Sequence, residues 1–440
     1  MTGSRKYCSR TYSPISFPAR LFLAATYTIL LSHSFFPEPA NAAERTQSTD
    51  ALLSSLHKHQ MDDDRYAIRF ISEARHPALA NNAKVLSDFA INYAKARWMG
   101  EALDLSDRAM KLSPKDDYVL ASRAWVLTKN KSSNVAVAPA KMAVSLKPNA
   151  RNFAILAEVF QARGDLAQAD DALTRARQAD PNSIDAVAAS ARILIARMKG
   201  PEAIIEVSKY VKSHPHDLRG LILRSEVAEI VGQRKQCITD LTAVLQVEPK
   251  HGYALQKRAE AYQKEKQFAL ASADIRRLLP LDSDVGIKIV ANKTLSECQE
   301  SLGNLEEAYK ARAATVSLSN KIYKSDLTTS VKTLPSDFSK DMVDCCRIEI
   351  LLKRYDSALS KLDIVLLNRP SYTAAREQHA YALEGLSKWN DALSDWSRLI
   401  TKQPTYPAWY ENRARVYKKL GNEQASAEDL ETAKKLLENL

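Results

Sequence analysis

Between residues 150 and 183 the apolar positions fall into two stripes. Phe153, Leu156, Ala157 and Phe160 recur at helical spacing, so they line one face of a first helix. Leu166, Ala169, Leu173 and Ala176 do the same for a second. Gly164 lies between them and tolerates the left-handed turn that ends a helix. Pro181 closes the segment because proline cannot continue a helix. The pattern predicts a pair of antiparallel helices whose stripes face each other, with small residues where the two backbones cross.

This unit recurs. Prolines stand at 114, 148, 181, 215 and 249, spaced 34, 33, 34 and 34 apart, and again at 370 and 404, with Ser283 where the next proline was due. Small residues keep the same beat. One series runs Ala90, Ala124, Ala157, Ala191, Ser225, Ala259, Ser296, Cys346, Ala380, Ala414. The other runs Ala102, Ala136, Ala169, Ala203, Cys237, Ala271, Ala308, Ala358, Ala392, Ser426. Both slip together by three residues near 287 and by sixteen near 325. One helix pair cannot bury its stripe alone, whereas stacked pairs bury it continuously. The period predicts ten such units. Pro139 lies within a second helix and is expected to kink it.

At this level of detail the chain resembles the tetratricopeptide repeat family. Phe153, Leu156, Ala157, Phe160, Gly164, Ala169, Leu173, Ala176 and Pro181 match that family's 34-residue unit. Tyr410, Arg413, Ala414, Tyr417, Gly421 and Ala433 match it in the last. The resemblance implies an all-α fold, a right-handed solenoid of stacked antiparallel helix pairs whose first helices line a concave, partner-binding face. It also implies a protein that holds another protein or peptide rather than an enzyme.

Several units depart from the family by placing Arg before the small residue: Arg123, Arg224, Arg258 and Arg413. Three have an acid sixteen residues on, at Asp240, Asp274 and Asp429, and His379 and Asp395 keep that spacing. They read as partly buried ion pairs that orient the two helices of a unit; separate solvated charges are the alternative.

The segment 1–42 differs in kind. Arg5, Lys6, Arg10 and Arg20 precede an apolar run from Leu21 to Leu31, and Ala40-Asn41-Ala42 supplies small residues at a cleavage site. This order is that of a secretory signal; a retained anchor and an organelle transit peptide are the alternatives. The apolar run is short for a bilayer span. Removing four basic residues and one acid with this segment takes the formal charge from +11 to +8. The chain therefore divides into 1–42 (signal), 43–82 (polar leader and a degenerate helix pair) and 83–320 (seven units). There follow 321–338, a linker rich in Ser, Thr and Lys with Pro335, and 339–440 (three units). In the degenerate pair, Asp62, Asp63 and Asp64 would supply the polar outer face that a solenoid end needs. The expected location is periplasmic or secreted, with a membrane involved only through an uncleaved signal.

No nucleophile elbow, phosphate-binding glycine loop or zinc-binding His-Glu-x-x-His is present in the sequence, so no catalytic residue, cofactor or metal is expected. His57 with His59, and His214 with His216, are two-residue pairs without further ligands spaced near them. Cys237 and Cys346 occupy small-residue positions, and with Cys298 and Cys345 read first as buried free thiols. A structural disulfide or a vicinal Cys345–Cys346 switch are the alternatives in an exported protein.

The concave face remains. Its outward-facing positions include Tyr118, Trp125, Arg151, Arg192, Arg219, Tyr253, Tyr381 and Arg415, residue types that commonly anchor partners. Glu158, Glu226, Glu260, Glu377 and Glu411 share it, so the face is mixed in charge. A protein or peptide is the expected partner and nucleic acid is not. An anionic envelope polymer or nucleic acid held through the basic excess is the alternative, and steep salt dependence would mark it.

Overall fold

The computed structural model describes residues 81–95, 98–281, 285–323 and 334–438. The expected signal, the leader with its degenerate helix pair, and His57 and His59 lie outside the described residues. Twenty helices follow one another without a strand among the described residues. In chain order they are α1 (Ala83–Lys95), α2 (Met99–Leu112), α3 (Asp117–Lys129), α4 (Ser133–Leu146), α5 (Ala150–Arg163), α6 (Leu166–Ala179) and α7 (Ile184–Ala196). Next come α8 (Gly200–Ser213), α9 (Leu218–Ile230), α10 (Arg234–Val247), α11 (Gly252–Lys264), α12 (Phe268–Leu278), α13 (Val285–Ser301) and α14 (Leu305–Tyr323). The last six are α15 (Ser336–Leu351), α16 (Tyr355–Asn368), α17 (Thr373–Gly385), α18 (Trp389–Lys402), α19 (Pro407–Lys419) and α20 (Glu423–Glu438). Odd-numbered helices are the first, and even-numbered the second, of ten antiparallel pairs. Each helix packs on its neighbours in sequence, which makes an all-α solenoid.

All twenty positions of the two small-residue series are buried, none more than 5% exposed. They sit where the helices cross, and no larger side chain fits there without opening the pair. Each turn within a pair, from the second pair onward, holds one residue of positive φ: Lys131, Gly164, Met198, Gly232, Lys266, Gly303, Lys353, Ser387 and Gly421. The turn thus has one fixed shape. Four glycines meet it without strain and five other residues accept a left-handed backbone. Asp116, Asn149, Ser183, Asp217 and His251 cap the next first helix by accepting its early backbone N–H groups.

The seventh pair takes up part of the large slip in the beat. Its helices run 17 and 19 residues, and in the second no proline or glycine interrupts the sequence from Leu305 to Tyr323. Residues 321–323, assigned above to a linker, belong to α14, and α15 begins directly after Pro335. The pairs on either side stack directly: α14 packs on α15, and Lys293 on α13 meets Asp341 on α15 at 2.7 Å. Pro139 lies inside α4, which spans Ser133–Leu146.

The recurrent arginines form the expected pairs. Arg258 grips Asp274 through Nε and Nη2, both at 2.7 Å. Arg413 grips Asp429 at 2.8 and 2.7 Å, and Arg224 grips Asp240 at 2.9 and 2.5 Å. Two of them also reach back to the preceding second helix: Arg258 to Thr242 at 3.0 Å and Arg413 to Ser397 at 3.2 Å. Arg123 has Pro139 sixteen residues on and turns backward instead, to Asp107 at 2.6 Å and Ser106 at 2.9 Å. The motif is therefore a clasp across three helices, broader than the pairing within a unit that the spacing alone suggests.

Candidate binding face

Successive first helices approach one another on one side of the array. α1, α3, α5 and α7 pack side by side in turn, α15 packs on α17, and α7 on α9 and α11 on α13 touch lightly. No comparable packing joins successive second helices. The odd-numbered helices therefore lie on the inside of the curve. With pairs repeating at the interval of the prolines, small residues at both crossings and first helices aligned inward, the repeat is defined by its own geometry. The units have the geometry that the resemblance to tetratricopeptide repeats implies.

The inner face is laced from unit to unit. Arg192 on α7 donates to Oε1 of Glu158 on α5 through Nη2 at 2.7 Å and Nε at 3.0 Å, and Lys129 on α3 approaches the same carboxylate at 3.4 Å. Arg219 on α9 meets Asp185 on α7 at 2.7 Å. Arg151 on α5 donates to Ser122 Oγ at 2.9 Å and lies 3.8 Å from the Tyr118 ring centre. Tyr118 in turn donates to Asp88 on α1. Farther along, Tyr253 donates to Glu226 at 2.5 Å and Asn412 donates to the Tyr381 hydroxyl at 2.9 Å. Arg415 forks onto Glu384 at 2.9 and 3.0 Å.

Electrostatics follow from this lacing. Burial alone would raise the Glu158 carboxyl, but Arg192 and Lys129 outweigh it and hold it below the usual carboxylate range. Asp185 is likewise held down against burial by Arg219 and Arg151. Burial, more than the nearby Asp88 charge, pushes the Tyr118 phenol up. Around the buried carboxylate of Glu158, Arg192 still leaves 40% of its side chain open to solvent.

Two of the eight expected contact residues are not outward-facing. Trp125 is 8% exposed and Tyr253 7%. Their rings pack among the core residues of the stacked units, where a large aromatic gains more from burial than from a wet surface. Tyr118, Arg151, Arg192, Arg219, Tyr381 and Arg415 lie on the inner helices as expected, and each binds a neighbouring unit. Their partners Asp88, Ser122, Asp185, Glu384 and Asn412 were not singled out from the sequence. A cation standing one repeat length after an acid, as Arg192 does after Glu158 and Arg219 after Asp185, is the signal that marks such pairs.

Among the described residues no group of three or more His, Cys, Asp or Glu side chains is placed to hold a metal ion, and no helix is long and apolar enough to cross a membrane. The outer side carries an open cleft of about 310 Å³ between α4 and α6, floored by Phe153, Leu156 and Phe160 and edged by Lys141 and Arg175. Cys237, Cys298, Cys345 and Cys346 are buried free thiols.

No family model matches the sequence, and no curated protein matches it. Solved structures match in part. A crystal structure of MamA aligns with 41% of this chain and 95% of its own at 13% identity and a TM-score of 0.34. YrrB, described as a TPR protein with an unusual peptide-binding site, aligns with 44% of this chain and 91% of its own at 15% identity and a TM-score of 0.34. A structure of Naa15/Naa10 bound to HypK-THB aligns with 88% of this chain and 63% of its own at 17% identity and a TM-score of 0.30. At such scores the assignment of the fold rests on the chain's own repeat.

Proposed function

We propose that this chain is a non-catalytic scaffold that holds a protein or peptide along the inner face of its helices, outside the cytoplasm. The observation that carries the reading is the row of side chains at one-unit spacing, each fixed by a partner in the neighbouring unit before any ligand arrives. Ordering a long side chain on binding costs about 0.5–1.5 kcal/mol, and here that cost is already met by folding. The face offers carboxylates and cations in near equal measure, which suits a polypeptide of mixed charge better than a polyanion. Export rests on the basic, apolar, Ala-x-Ala order of residues 1–42.

Photo-crosslinking tests the face. A photoreactive residue replacing Glu411 on α19, which is exposed, should capture peptides selected from a displayed library, and one replacing Arg175 at the outer cleft should not. Capture mainly at position 175 would place the partner on the outer side and sink the inner-face reading. Mass spectrometry of the N-terminus in the producing cell tests export, and a chain starting well before Ala43 would count against it.

A further inference from the structure

The three-helix clasp has one unusual member. Where other units use arginine, the ninth uses His379. Its Nδ1 lies 2.5 Å from Asp395 Oδ2 on α18, and its Nε2 lies 3.0 Å from Asp363 Oδ1 on α16. The geometry matches that of Arg258 and Arg413: sixteen residues forward to the second helix of its own pair, sixteen back to the preceding one. An arginine keeps its charge and all its donors at any working pH. A neutral imidazole has one N–H and one lone pair, so it can donate to one carboxylate but turns a lone pair toward the other. Only the imidazolium donates to both.

We propose that His379 is a proton-operated clasp, which ties α16, α17 and α18 together when charged and releases Asp363 when neutral. Asp363 is the side that lets go. It is 64% exposed and can turn to water, whereas Asp395 is 7% exposed and is also held by Arg376 at 2.7 Å. The charged groups in contact with the ring are thus Asp363 from α16, Asp395 from α18 and, through Asp395, Arg376 from α17 itself. From α15, which also packs on α17, Glu349 is engaged by Lys361 at 2.5 Å and Ser357 at 2.8 Å.

The direction of the effect follows. Burial disfavours the charged ring, but Asp395 and Asp363 outweigh burial and raise its pKa above the ordinary histidine value. A group whose pKa is raised on folding stabilises fully below its unfolded value of about 6.5. That stabilisation fades as pH climbs through the higher folded value. The seam between the eighth and ninth units is therefore tightest in mild acid and slackens toward alkali, while the seams held by Arg258 and Arg413 do not respond.

Histidine-selective NMR on the full chain tests this, with the His379 signal assigned by its loss in His379→Gln. The ring should titrate above about 6.5, and Asp363→Asn should lower that midpoint. Melting supplies the second measurement. Wild type and His379→Arg should melt alike near pH 5.5, and the variant should melt higher by about 2 °C or more at pH 9. A ring that titrates at or below the free value overturns the proposal. So do melting curves that stay parallel from acid to alkali. If His379→Arg does not fold, the titration of wild type and of Asp363→Asn decides alone.

Discussion

Arg192 and Glu158 occupy like positions of consecutive units and lie 2.7 Å apart. One repeat length of chain separates them, so the pair is a bond from unit to unit. The same holds for Arg219 and Asp185. Side chains that look like free anchors in the sequence therefore act as rungs that set the spacing of the inner helices.

Cutting this rung should cost stability. Arg192→Met leaves Glu158, 7% exposed, with Lys129 alone at 3.4 Å. Removing one partner of a fully buried pair costs roughly 3–5 kcal/mol. The 40% exposure of Arg192 and the remaining lysine reduce the expected loss to about 1–2 kcal/mol, read as a lower denaturation midpoint. Glu158→Gln adds a pH test. The carboxyl is held below its usual value, so its stabilisation is present above about pH 4.3, the unfolded value, and is lost as pH falls through the folded one. The gap between wild type and Glu158→Gln should be widest near neutrality and close in strong acid. A gap that persists unchanged at pH 2 would refute the assignment.

Gly385 at the end of α17 lies against Tyr355, the first residue of α16. A Cβ added there would overlap the ring, so the tyrosine must move. Gly385→Ala should destabilise by about 1–3 kcal/mol, and Tyr355→Ala in the same chain should recover part of the loss, giving a non-additive cycle. Simple additivity of the two changes would show that they do not touch.

Met198 carries φ 60° in the turn between α7 and α8 and is 90% exposed. A non-glycine residue in this conformation costs about 1–2 kcal/mol, against about 0.5–1 kcal/mol for the greater freedom that glycine loses on folding. Met198→Gly should thus stabilise by about 0.5–1 kcal/mol, the difference between the two costs. A lower melting temperature for the variant would contradict that balance.

The four described thiols should be silent in the folded state. Burial pushes Cys237 up to about 12 and Cys298 and Cys345 up to about 11, with Cys346 higher still for the same reason. Alkylation at pH 8 should run at least a hundredfold slower than in denaturant, on the order of the missing thiolate. Rapid labelling of any of the four in the native chain would show an open site. Cys237→Ala should cost under about 1.5 kcal/mol, because the pocket is alanine-sized in the neighbouring units.

Much of the fold was legible because a repeat states its packing rule ten times. The small residues at one-unit spacing located both helix crossings in every unit, and the sixteen-residue interval located the arginine pairs. What stayed hidden depends on neighbours in space. Trp125 stands at a position that reads as outward-facing, yet it is buried in the core of the stacked units. Arg123 looks like Arg258, but Pro139 stands where its aspartate would be, so it binds backward. The extension of α14 to Tyr323 was obscured because the seventh unit departs from the period on which the reading relied.

The inner helices approach one another unevenly along the array. Through α7 each seam is joined twice, along the inner row and between second and next first helices. Beyond α7 the inner approach is slight at several steps. Side chains such as Arg219 with Asp185 and Arg415 with Glu384 therefore carry the inner joint of the later units, where the helices themselves approach only slightly.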